Sequence, residues 1–471
     1  MSLHGYNSRL ARHVLFFGLP LVVGLACHAA FNLVDTFLVG QMGLTEGAQA
    51  ISVTGLCDPI TTFQTILFNG PIAGAGVLLA RKVGANDTEG LRKVALQAAG
   101  FVVAMSIAMA IPGYLFAEEI ALAMGAARGW QLEQSREYLE VMLAGGITAG
   151  MFLYLTTVER SIGNTGTFLL FFMLSNVFNA LLGLLLIYGP GPYPGWYPAF
   201  LQEIVRELGI PRMGVVGSAW ATVGARALAT LGVLAIGLKR GVLRGRIAWL
   251  IPKGVNVIAL IKIGLWNNGQ IAARGIGGGI LIRTLQEAGG QRPEVLGGVF
   301  VGLKMELLLV LLAFGWGAAA QTLVATSLGS GKPERARMEE RLTMLYATLM
   351  GAALTVPAFV FADDFARLFN DDPQLVHWSA TYLKLMAPAF VFVPLNIVIS
   401  QAMVARNQLR LPVIIDSVLL LGVLSPTLII LALTGASVQT LIVVNMIANI
   451  ALTAVYLYAR QRLARPQQQR L

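Results

Sequence analysis

Two stretches of this 471-residue chain, "GPIAGAGVLLARKVGAND" at residues 70–87 and "GWGAAAQTLVATSLGSGK" at 315–332, share a pattern of small and apolar residues that ends in a polar turn. They lie 245 residues apart. The same spacing, within one residue, separates two further pairs of motifs: "FAEE" (116–119) and "FADD" (361–364), and "REYLEVM" (136–142) and "ATYLKLM" (380–386). Matches in one order at one spacing indicate an internal duplication.

The composition places both halves in a membrane. The chain is 56% hydrophobic and 12% charged, with a mean hydropathy of +0.71, which is typical of a polytopic membrane protein. A span needs about 20 apolar residues. Twelve apolar runs meet this length: 14–39, 48–80, 92–116, 138–160, 166–188, 214–238, 255–285, 295–328, 341–361, 379–404, 411–434 and 437–459.

The basic residues predict how the chain is oriented. They cluster in alternate breaks between the runs and at both termini, which is the pattern of cytoplasmic loops. The net charge of +10 is therefore interpreted as membrane topology and not as a nucleic-acid site. We expect a multi-pass protein of the cell inner membrane with both termini in the cytoplasm. The Pro- and aromatic-rich segment 189–213 is expected on the outer face, as a short amphipathic helix after a rigid turn.

Each predicted half holds six spans. Because six is even, the halves have the same orientation and are related by a pseudo-two-fold axis along the membrane normal. The predicted fold is thus an all-α integral membrane protein of twelve transmembrane helices in two six-helix lobes, residues 1–238 and 255–471, joined by a basic cytoplasmic linker, 239–254. This plan is typical of secondary transporters, whose substrate sites lie near mid-membrane.

Asp35 is the most informative polar residue of the first run. A buried, ionised carboxylate without a partner costs several kcal/mol, so a residue in this position can respond to a proton or cation. The alternative is an acid near the helix end that reaches interfacial water or a structural partner. Asn32 and His28 lie one and two turns earlier on the same face; His28 either shares a proton with Asp35 or simply satisfies its own hydrogen bonds.

Polar residues in the fifth and sixth runs are further candidates. Asn176 and Asn179 share a helix face, where amides either hold helices together or bind ions. Thr222 and Arg226 lie one turn apart, and a buried Arg226 requires a counter-charge. The acids that could supply it are Asp58, Glu140 and Glu159.

The second half is chemically different from the first. Leu281 stands at the position equivalent to Asp35, at a spacing of 246. Among the polar residues of this half, Arg274, Lys304 and Asn396 are the candidate lining of a substrate cavity. Two basic residues there predict a cavity less anionic than usual, with neutral, zwitterionic or acidic substrates.

Motifs of other function classes are missing from the sequence. No Walker loop and no HExxH or clustered Cys/His ligands are found, and no nucleophile, base and oxyanion donors converge. We therefore expect no enzyme, no catalytic residue, no metal centre and no cofactor. A non-transporting sensor or scaffold is disfavoured by the duplicated helical core.

The chain resembles the multidrug and toxic compound extrusion (MATE) family of secondary antiporters. The resemblance extends over nearly the whole chain and is carried by five motifs: "NLVDTFLVGQMG" (32–43), "GPIAGAGVLLARKVGAND" (70–87), "NVFNALLGLLLIYG" (176–189), "GVVGSAWATVGAR" (214–226) and "VGLKMELLLVLLAFGWGAAAQTLVATSLGSGK" (301–332). It implies a V-shaped pair of six-helix lobes that exports amphiphilic small molecules in exchange for protons or sodium ions, acting as a monomer in the bilayer.

Three residues match the ion-coupling positions of that family. Asp35 resembles the span-one carboxylate, and Asn179 and Thr222 resemble the asparagine and threonine beside it. Gly183 departs from the pattern, because the family commonly has a second aspartate there; its absence favours protonation of Asp35 over a sodium site. The prediction is a proton-coupled exporter working by alternating access. The alternatives are a sodium-coupled exporter and a lipid-linked precursor flippase of the same superfamily, which a basic cavity formed by Arg226, Arg274 and Lys304 would favour.

Overall fold

The structure, a computed structural model, describes the backbone of residues 3–290, 292–367 and 372–468. The described side chains are fewer. Those at positions 3–7, 28–33, 44, 45, 48, 293, 294, 296, 305 and 463–468 lie outside the description.

Within the described ranges the chain is helical and contains no β-strand. Apolar runs of this length leave the backbone no alternative, because in lipid each N–H and C=O must be satisfied within the segment. The α-helices are α1 Leu3–Gly40, α2 Leu44–Gly84, α3 Thr88–Leu115, α4 Ala117–Ala123, α5 Trp130–Ala144, α6 Gly146–Ser161, α7 Thr165–Tyr188, α8 Ala199–Leu208, α9 Gly214–Lys239, α10 Val255–Ala288, α11 Pro293–Gly329, α12 Pro333–Val360, α13 Ala362–Arg367, α14 Pro373–Met386, α15 Val393–Ala405, α16 Arg410–Asp416, α17 Ser425–Leu433 and α18 Val438–Gln468.

The predicted all-helical membrane fold is confirmed. In the described part of the chain, 11 helices are long and apolar enough to cross a membrane, and the number rises to 12 if one bent pair is a single span. That pair, Pro373–Val391 and Val393–Ala405, meets at 42°. The bend follows a 3₁₀ segment, Ala387–Val391. Pro388 lies near the start of this segment and Pro394 near the start of α15, and they explain the bend because proline removes a helix hydrogen bond.

Another irregular segment interrupts the eleventh predicted run. Residues Ser417–Leu424, between α16 and α17, form a π-helix. Such segments are rare and are frequent at functional sites. The π-helix begins directly after Asp416, a fully buried acid.

The duplication is visible in the local structure. In the first half, the N–H of Phe116 donates to the carbonyl of Pro112 at 2.9 Å, and the short helix α4 follows. In the second half, the N–H of Phe361 donates to the carbonyl of Pro357 at 2.9 Å, and α13 follows. In each half the motif therefore follows the end of a long helix and begins a short one, and the two copies lie 245 residues apart.

The chain divides into two compact units. Unit 1 comprises residues 1–25, 83–86 and 265–471, and unit 2 comprises 26–82 and 87–264. These boundaries follow packing, so they differ from the chain-order lobes 1–238 and 255–471, which stay a prediction. In unit 1, the part of α1 up to residue 25 groups with the second sequence half. In unit 2, the part of α10 up to residue 264 groups with the first sequence half.

Each unit has its own apolar core. In unit 1 it is centred on fully buried residues of α14, α15 and α18, such as Tyr382, Ile399 and Tyr456. In unit 2 it includes Val39, Tyr188 and Ala219. The predicted helix within 189–213 is α8; its Leu201 and Val205 are buried, whereas Phe200 and Leu208 are exposed.

Candidate functional site

Asp35 lies near the end of α1, in unit 2, and its carboxylate meets a side chain of α9. The Thr222 hydroxyl donates to Asp35 Oδ2 at 2.9 Å. Thr222 in turn accepts a hydrogen bond from Asn179 Nδ2 of α7 at 3.2 Å. Asn179 and Thr222 are buried, at 0% and 3% exposure. The three residues assigned to ion coupling are therefore joined in one hydrogen-bonded chain across three helices.

This end of α1 is fixed by a second contact to α7. The hydroxyl of Tyr188 donates to the carbonyl of Leu38 at 2.6 Å, and both side chains are buried. The same carbonyl accepts from the N–H of Gln41 at 3.3 Å, so Tyr188 adds a contact from α7 to the last turn of α1. Asp35 is one turn earlier, and its position relative to Asn179 and Thr222 is set by this contact.

Two oxygen atoms of the site are left without a hydrogen bond. Asp35 Oδ1 and Asn179 Oδ1 are both buried, and neither has a partner among the described residues. Buried oxygens without a donor are costly and rare in folded proteins. An acidic proton or a cation would satisfy acceptors of this kind.

A small cavity lies in the same unit, between α6, α7 and α9. Its lining includes the aromatic rings of Phe152 and Phe172 and the polar side chains Ser175, Asn176 and Arg226. Asn176 donates to the carbonyl of Phe172 at 2.8 Å, and its buried Oδ1 has no partner in the described part of the chain. Aromatic walls with a few polar groups are typical of ligand sites.

Two of the three predicted counter-charges of Arg226 are paired with other arginines. Glu159 is ion-paired with Arg240, and Glu140 lies 3.4 Å from Arg136. Arg226 instead interacts electrostatically with Asp35. Sequence reasoning missed this because Asp35 was considered only as an ion ligand. Asp58 belongs to the same electrostatic group, since it interacts with Asp35.

Gly183, where the family commonly has an aspartate, is buried on α7, one turn after Asn179. A Cβ built there would lie 2.9 Å from Leu38 Cδ1. The apolar side chain of Leu38 thus lies against the position where a second carboxylate side chain would begin. Among the described residues no group of three His, Cys, Asp or Glu side chains could hold a metal ion.

Unit 1 contains a separate polar cluster that includes two predicted residues. Arg274 of α10 donates from Nε to Asp416 Oδ2 at 2.6 Å and from Nη2 to Asn396 Oδ1 at 3.3 Å. Gln270 donates to the same Asp416 oxygen at 3.0 Å, and the Tyr456 hydroxyl donates to Asp416 Oδ1 at 2.7 Å. Asp416 is fully buried. Its charge balances that of Arg274, and the expectation of a substrate cavity less anionic than usual stays a prediction.

Lys304, His28 and Asn32 are the remaining predicted residues. The side chain of Lys304 is exposed on α11, and no described contact joins it to Arg274. His28 and Asn32 lie on the backbone of α1, but their side chains fall outside the described residues. Their proposed place beside Asp35 therefore stays a prediction.

The fold and the site together define a polytopic helical membrane transporter with a buried carboxylate. The MatE family model matches residues 20–185 and 288–428, which is more than half of the chain. The chain belongs to this family of multidrug efflux transporters, as the resemblance predicted, and the family's members are transporters and not enzymes.

Curated relatives agree with this assignment. The chain is 25% identical over 98% of its length to the FAD transporter of Shewanella oneidensis, covering 97% of that protein. It is 22% identical to the probable multidrug resistance protein NorM of Thermotoga maritima, with 86% of this chain and 82% of the relative covered. It is also 22% identical to the multidrug export protein MepA of Staphylococcus aureus, with 96% and 94% covered.

Solved structures share the fold. A MATE transporter in the straight conformation superposes with a TM-score of 0.84 at 19% identity, covering 98% of this chain and 97% of that one. A transporter of the wider superfamily from Pyrococcus furiosus, whose binding pocket is described as reversed in polarity, gives 0.83 at 20% identity, covering 97% and 96%.

Proposed function

We propose that this chain is a proton-coupled antiporter that exports amphiphilic small molecules by alternating access, with Asp35 as the proton-binding group. The observation that carries the proposal is the incomplete pairing of Asp35: one oxygen accepts from Thr222, and the other is buried without a partner. The protein is expected in the bacterial cytoplasmic membrane, as a monomer, with both termini in the cytoplasm.

The mechanism follows from the partners of the carboxylate. When Asp35 is ionised, its charge is held by the Thr222 hydroxyl and the field of Arg226. When a proton binds at Oδ1, the charge disappears, the attraction to Arg226 weakens, and the new O–H becomes a donor that requires an acceptor. A proton can drive transport only if it binds one conformation better than the other. Asp35 supplies this difference if its surroundings change between the two conformations.

The alternatives are less well supported. Sodium prefers several oxygen ligands, and the family's second carboxylate is replaced by Gly183, beside Leu38. The lipid-linked precursor flippase would require Arg226, Arg274 and Lys304 to share one basic cavity. Of its three basic residues, Arg274 is neutralised by Asp416 and Lys304 is exposed.

Transport in proteoliposomes tests the proposal. Uptake of a fluorescent cationic dye is measured under a pH gradient or a sodium gradient, with wild type, Asp35→Asn and the control Glu118→Gln. Asparagine keeps an acceptor oxygen for Thr222 but cannot take the proton. We expect a pH gradient alone to drive wild type and Glu118→Gln, and at least a tenfold loss in Asp35→Asn. Unchanged gradient-driven uptake in Asp35→Asn overturns the role of Asp35, and uptake driven by sodium alone shows the sodium-coupled alternative.

A second candidate cargo is an anionic aromatic compound. The relative from Shewanella oneidensis is named an FAD transporter, and the cavity of unit 2 combines the Phe152 and Phe172 rings, 4.9 Å apart, with Arg226. FAD uptake by the same vesicles, followed by flavin fluorescence, tests this. We expect Arg226→Gln to reduce FAD uptake more than dye uptake, because only FAD carries phosphate. Equal loss of both substrates would assign Arg226 to the Asp35 site alone.

A further inference from the structure

Glu306 is an intramembrane acid of unit 1 without an ion-pair partner among the described residues. It lies on α11, nine residues (306 − 297) after the start of the candidate span Gly297–Gly329, or about 13 Å along the helix axis at 1.5 Å per residue. The four fully buried acids of the described residues, Glu159, Glu339, Glu340 and Asp416, are all ion-paired with arginine. Half-buried Glu306 forms no ion pair within the described ranges.

The partner of Glu306 is a tyrosine held in a notch of α11. The Tyr382 hydroxyl of α14 donates to Glu306 Oε2 at 2.5 Å, and Tyr382 is fully buried. Its ring lies directly against Gly302, one turn before Glu306; a Cβ at Gly302 would be 2.4 Å from Tyr382 Cδ1. The absence of a side chain at Gly302 therefore lets the ring reach the acid.

The duplication gives Tyr382 a counterpart in unit 2. Tyr382 corresponds to Tyr138 at the spacing of 244 that aligns "ATYLKLM" with "REYLEVM". Tyr138 is also buried, and it interacts electrostatically with Asp58 and Asp35. Each unit therefore contains the equivalent buried tyrosine, and in unit 1 this tyrosine donates a hydrogen bond to an acid.

The packing around the two tyrosines is also equivalent. Three residues before each tyrosine is a fully buried serine, Ser135 or Ser379. Cys57 of α2 lies 3.7 Å from the carbonyl of Ser135, and Ser379 donates to the carbonyl of Gly298 of α11 at 2.8 Å. Thus α5 contacts α2 through the carbonyl of its serine, and α14 contacts α11 through the hydroxyl of its serine. The buried tyrosine and serine therefore belong to the duplicated framework, whereas the acid is specific to the second half, because the position equivalent to Glu306 at a spacing of 245 is Thr61.

We propose that Glu306 and Tyr382 form a second proton-binding site, located in unit 1 and distinct from Asp35. The proton binds at Glu306 Oε1, while Oε2 keeps the hydrogen bond from Tyr382. A carboxylate in a membrane segment with a neutral donor as its partner has no charge to balance it, so a proton is the ligand that its surroundings favour.

The neighbouring charged groups do not supply a counter-charge. On α13 and α14, Asp363 and Lys384 are ion-paired with each other at 2.5 Å. On α12, the acids Glu339 and Glu340 lie at the other end of the helix, where they pair with arginines. On α10 and α15, Arg274 and Asn396 are bound within the Asp416 cluster. Lys304, on α11 itself, is exposed.

Infrared difference spectroscopy of the purified full-length protein, between acid and alkaline pH, tests the site without a transport assay. A carboxyl group that takes up a proton gains a C=O stretching band. We expect Glu306→Gln and Asp35→Asn each to remove one carboxyl band, and the double variant to remove both. A spectrum of Glu306→Gln identical to wild type overturns the second site. If Asp35→Asn removes a carboxyl band and Glu306→Gln removes none, the second site is overturned while the proposed function stays intact. The two failures are therefore distinguishable.

Two further variants separate proton binding from a structural role. Tyr382→Phe removes the donor to the carboxyl oxygen, so the Glu306 band should remain but move to higher frequency. Gly302→Ala displaces the tyrosine ring and should give the same shift, whereas Gly278→Ala, where a Cβ meets nothing within 4 Å, should leave the band in place. A Glu306 band that is unmoved in Tyr382→Phe would contradict the proposed pair.

Discussion

Each unit contains an intramembrane aspartate that accepts hydrogen bonds from neighbouring helices, and the two units balance the charge of this aspartate in different ways. In unit 1, both oxygens of Asp416 accept hydrogen bonds, and Arg274 supplies a full counter-charge at 2.6 Å. In unit 2, Asp35 has one hydrogen bond, from the neutral Thr222, and its other oxygen has no partner in the described structure. Asp416 therefore has a direct ion-pair partner, whereas Asp35 interacts with Arg226 only electrostatically and keeps one oxygen without a hydrogen bond in the described structure.

This difference separates a structural acid from one that can exchange its ligand. A buried ion pair holds its geometry because the loss of either member leaves an uncompensated charge. A carboxylate with a neutral donor tolerates both protonation states, since the hydroxyl of Thr222 can donate to either. The comparison therefore predicts opposite results when the two sites are altered.

The largest effect is expected at the Arg274–Asp416 pair. Arg274→Met leaves the charge of Asp416 buried without compensation, which should cost about 3–5 kcal/mol of stability. The double variant Arg274→Met/Asp416→Asn removes both charges and should recover most of the loss. Thermal unfolding in detergent, followed by the fraction of monodisperse protein, measures both. Equal losses in the single and double variants would show that charge balance is not what stabilises this cluster.

The matching change in unit 2 should have a smaller effect on stability. Thr222→Val removes the donor to Asp35 and the acceptor for Asn179, which should cost about 1–2 kcal/mol because buried polar atoms lose a partner. The pH dependence of transport should change as well, because the ionised form of Asp35 loses its hydrogen bond. Thr230→Val is the control, since that hydroxyl bonds to the Arg226 carbonyl of its own helix. Thr230→Val should keep the pH profile of wild type. If Thr222→Val keeps that profile as well, Thr222 does not act on Asp35.

The smallest effect is expected outside the spans, at Asp363. The hydrogen bond and charge of Lys384 lower the pKa of Asp363 below its ordinary value of 3.8. A lowered pKa in the folded state contributes stability that is complete above about pH 4 and is lost as the pH falls through the folded-state pKa. Asp363→Asn should therefore lower the unfolding midpoint slightly at pH 7, by less than about 1 kcal/mol for an exposed pair.

The pH series provides the control for this last prediction. Wild type and Asp363→Asn should differ at pH 5 and pH 7 by the same amount, and they should converge only in strongly acidic solution. Unfolding midpoints at several pH values in one detergent give the comparison. A difference that grows on acidification would mean that Asp363 is not stabilised by Lys384.

The sequence predicted the spans well because long apolar runs leave the chain little structural choice. It also predicted the group Asp35, Asn179 and Thr222, through a family resemblance. It did not pair Arg274 with Asp416. They are separated by 142 residues, and their contact depends on how α10 packs on α16, which no local pattern specifies.

Other features depended on packing in the same way. The π-helix after Asp416 has no signature in an apolar run such as "SVLLLGVL". The assignment of Arg226 to Asp58, Glu140 or Glu159 could not be decided from spacing, and two of those acids pair with other arginines. The notch at Gly302 is visible only once the ring of Tyr382 is placed against it.

The division of α1 between the units has a consequence for biosynthesis. Residues 1–25 pack within unit 1: Tyr346 donates to the carbonyl of Ala11 at 3.0 Å, and Gly18 lies against the ring of Trp316. Trp316 follows Leu25 by 291 residues (316 − 25). At about 5–20 residues per second, the ribosome needs roughly 15–60 s to make that length. During this interval the beginning of the first helix is already synthesised, but the residues against which it finally packs do not yet exist.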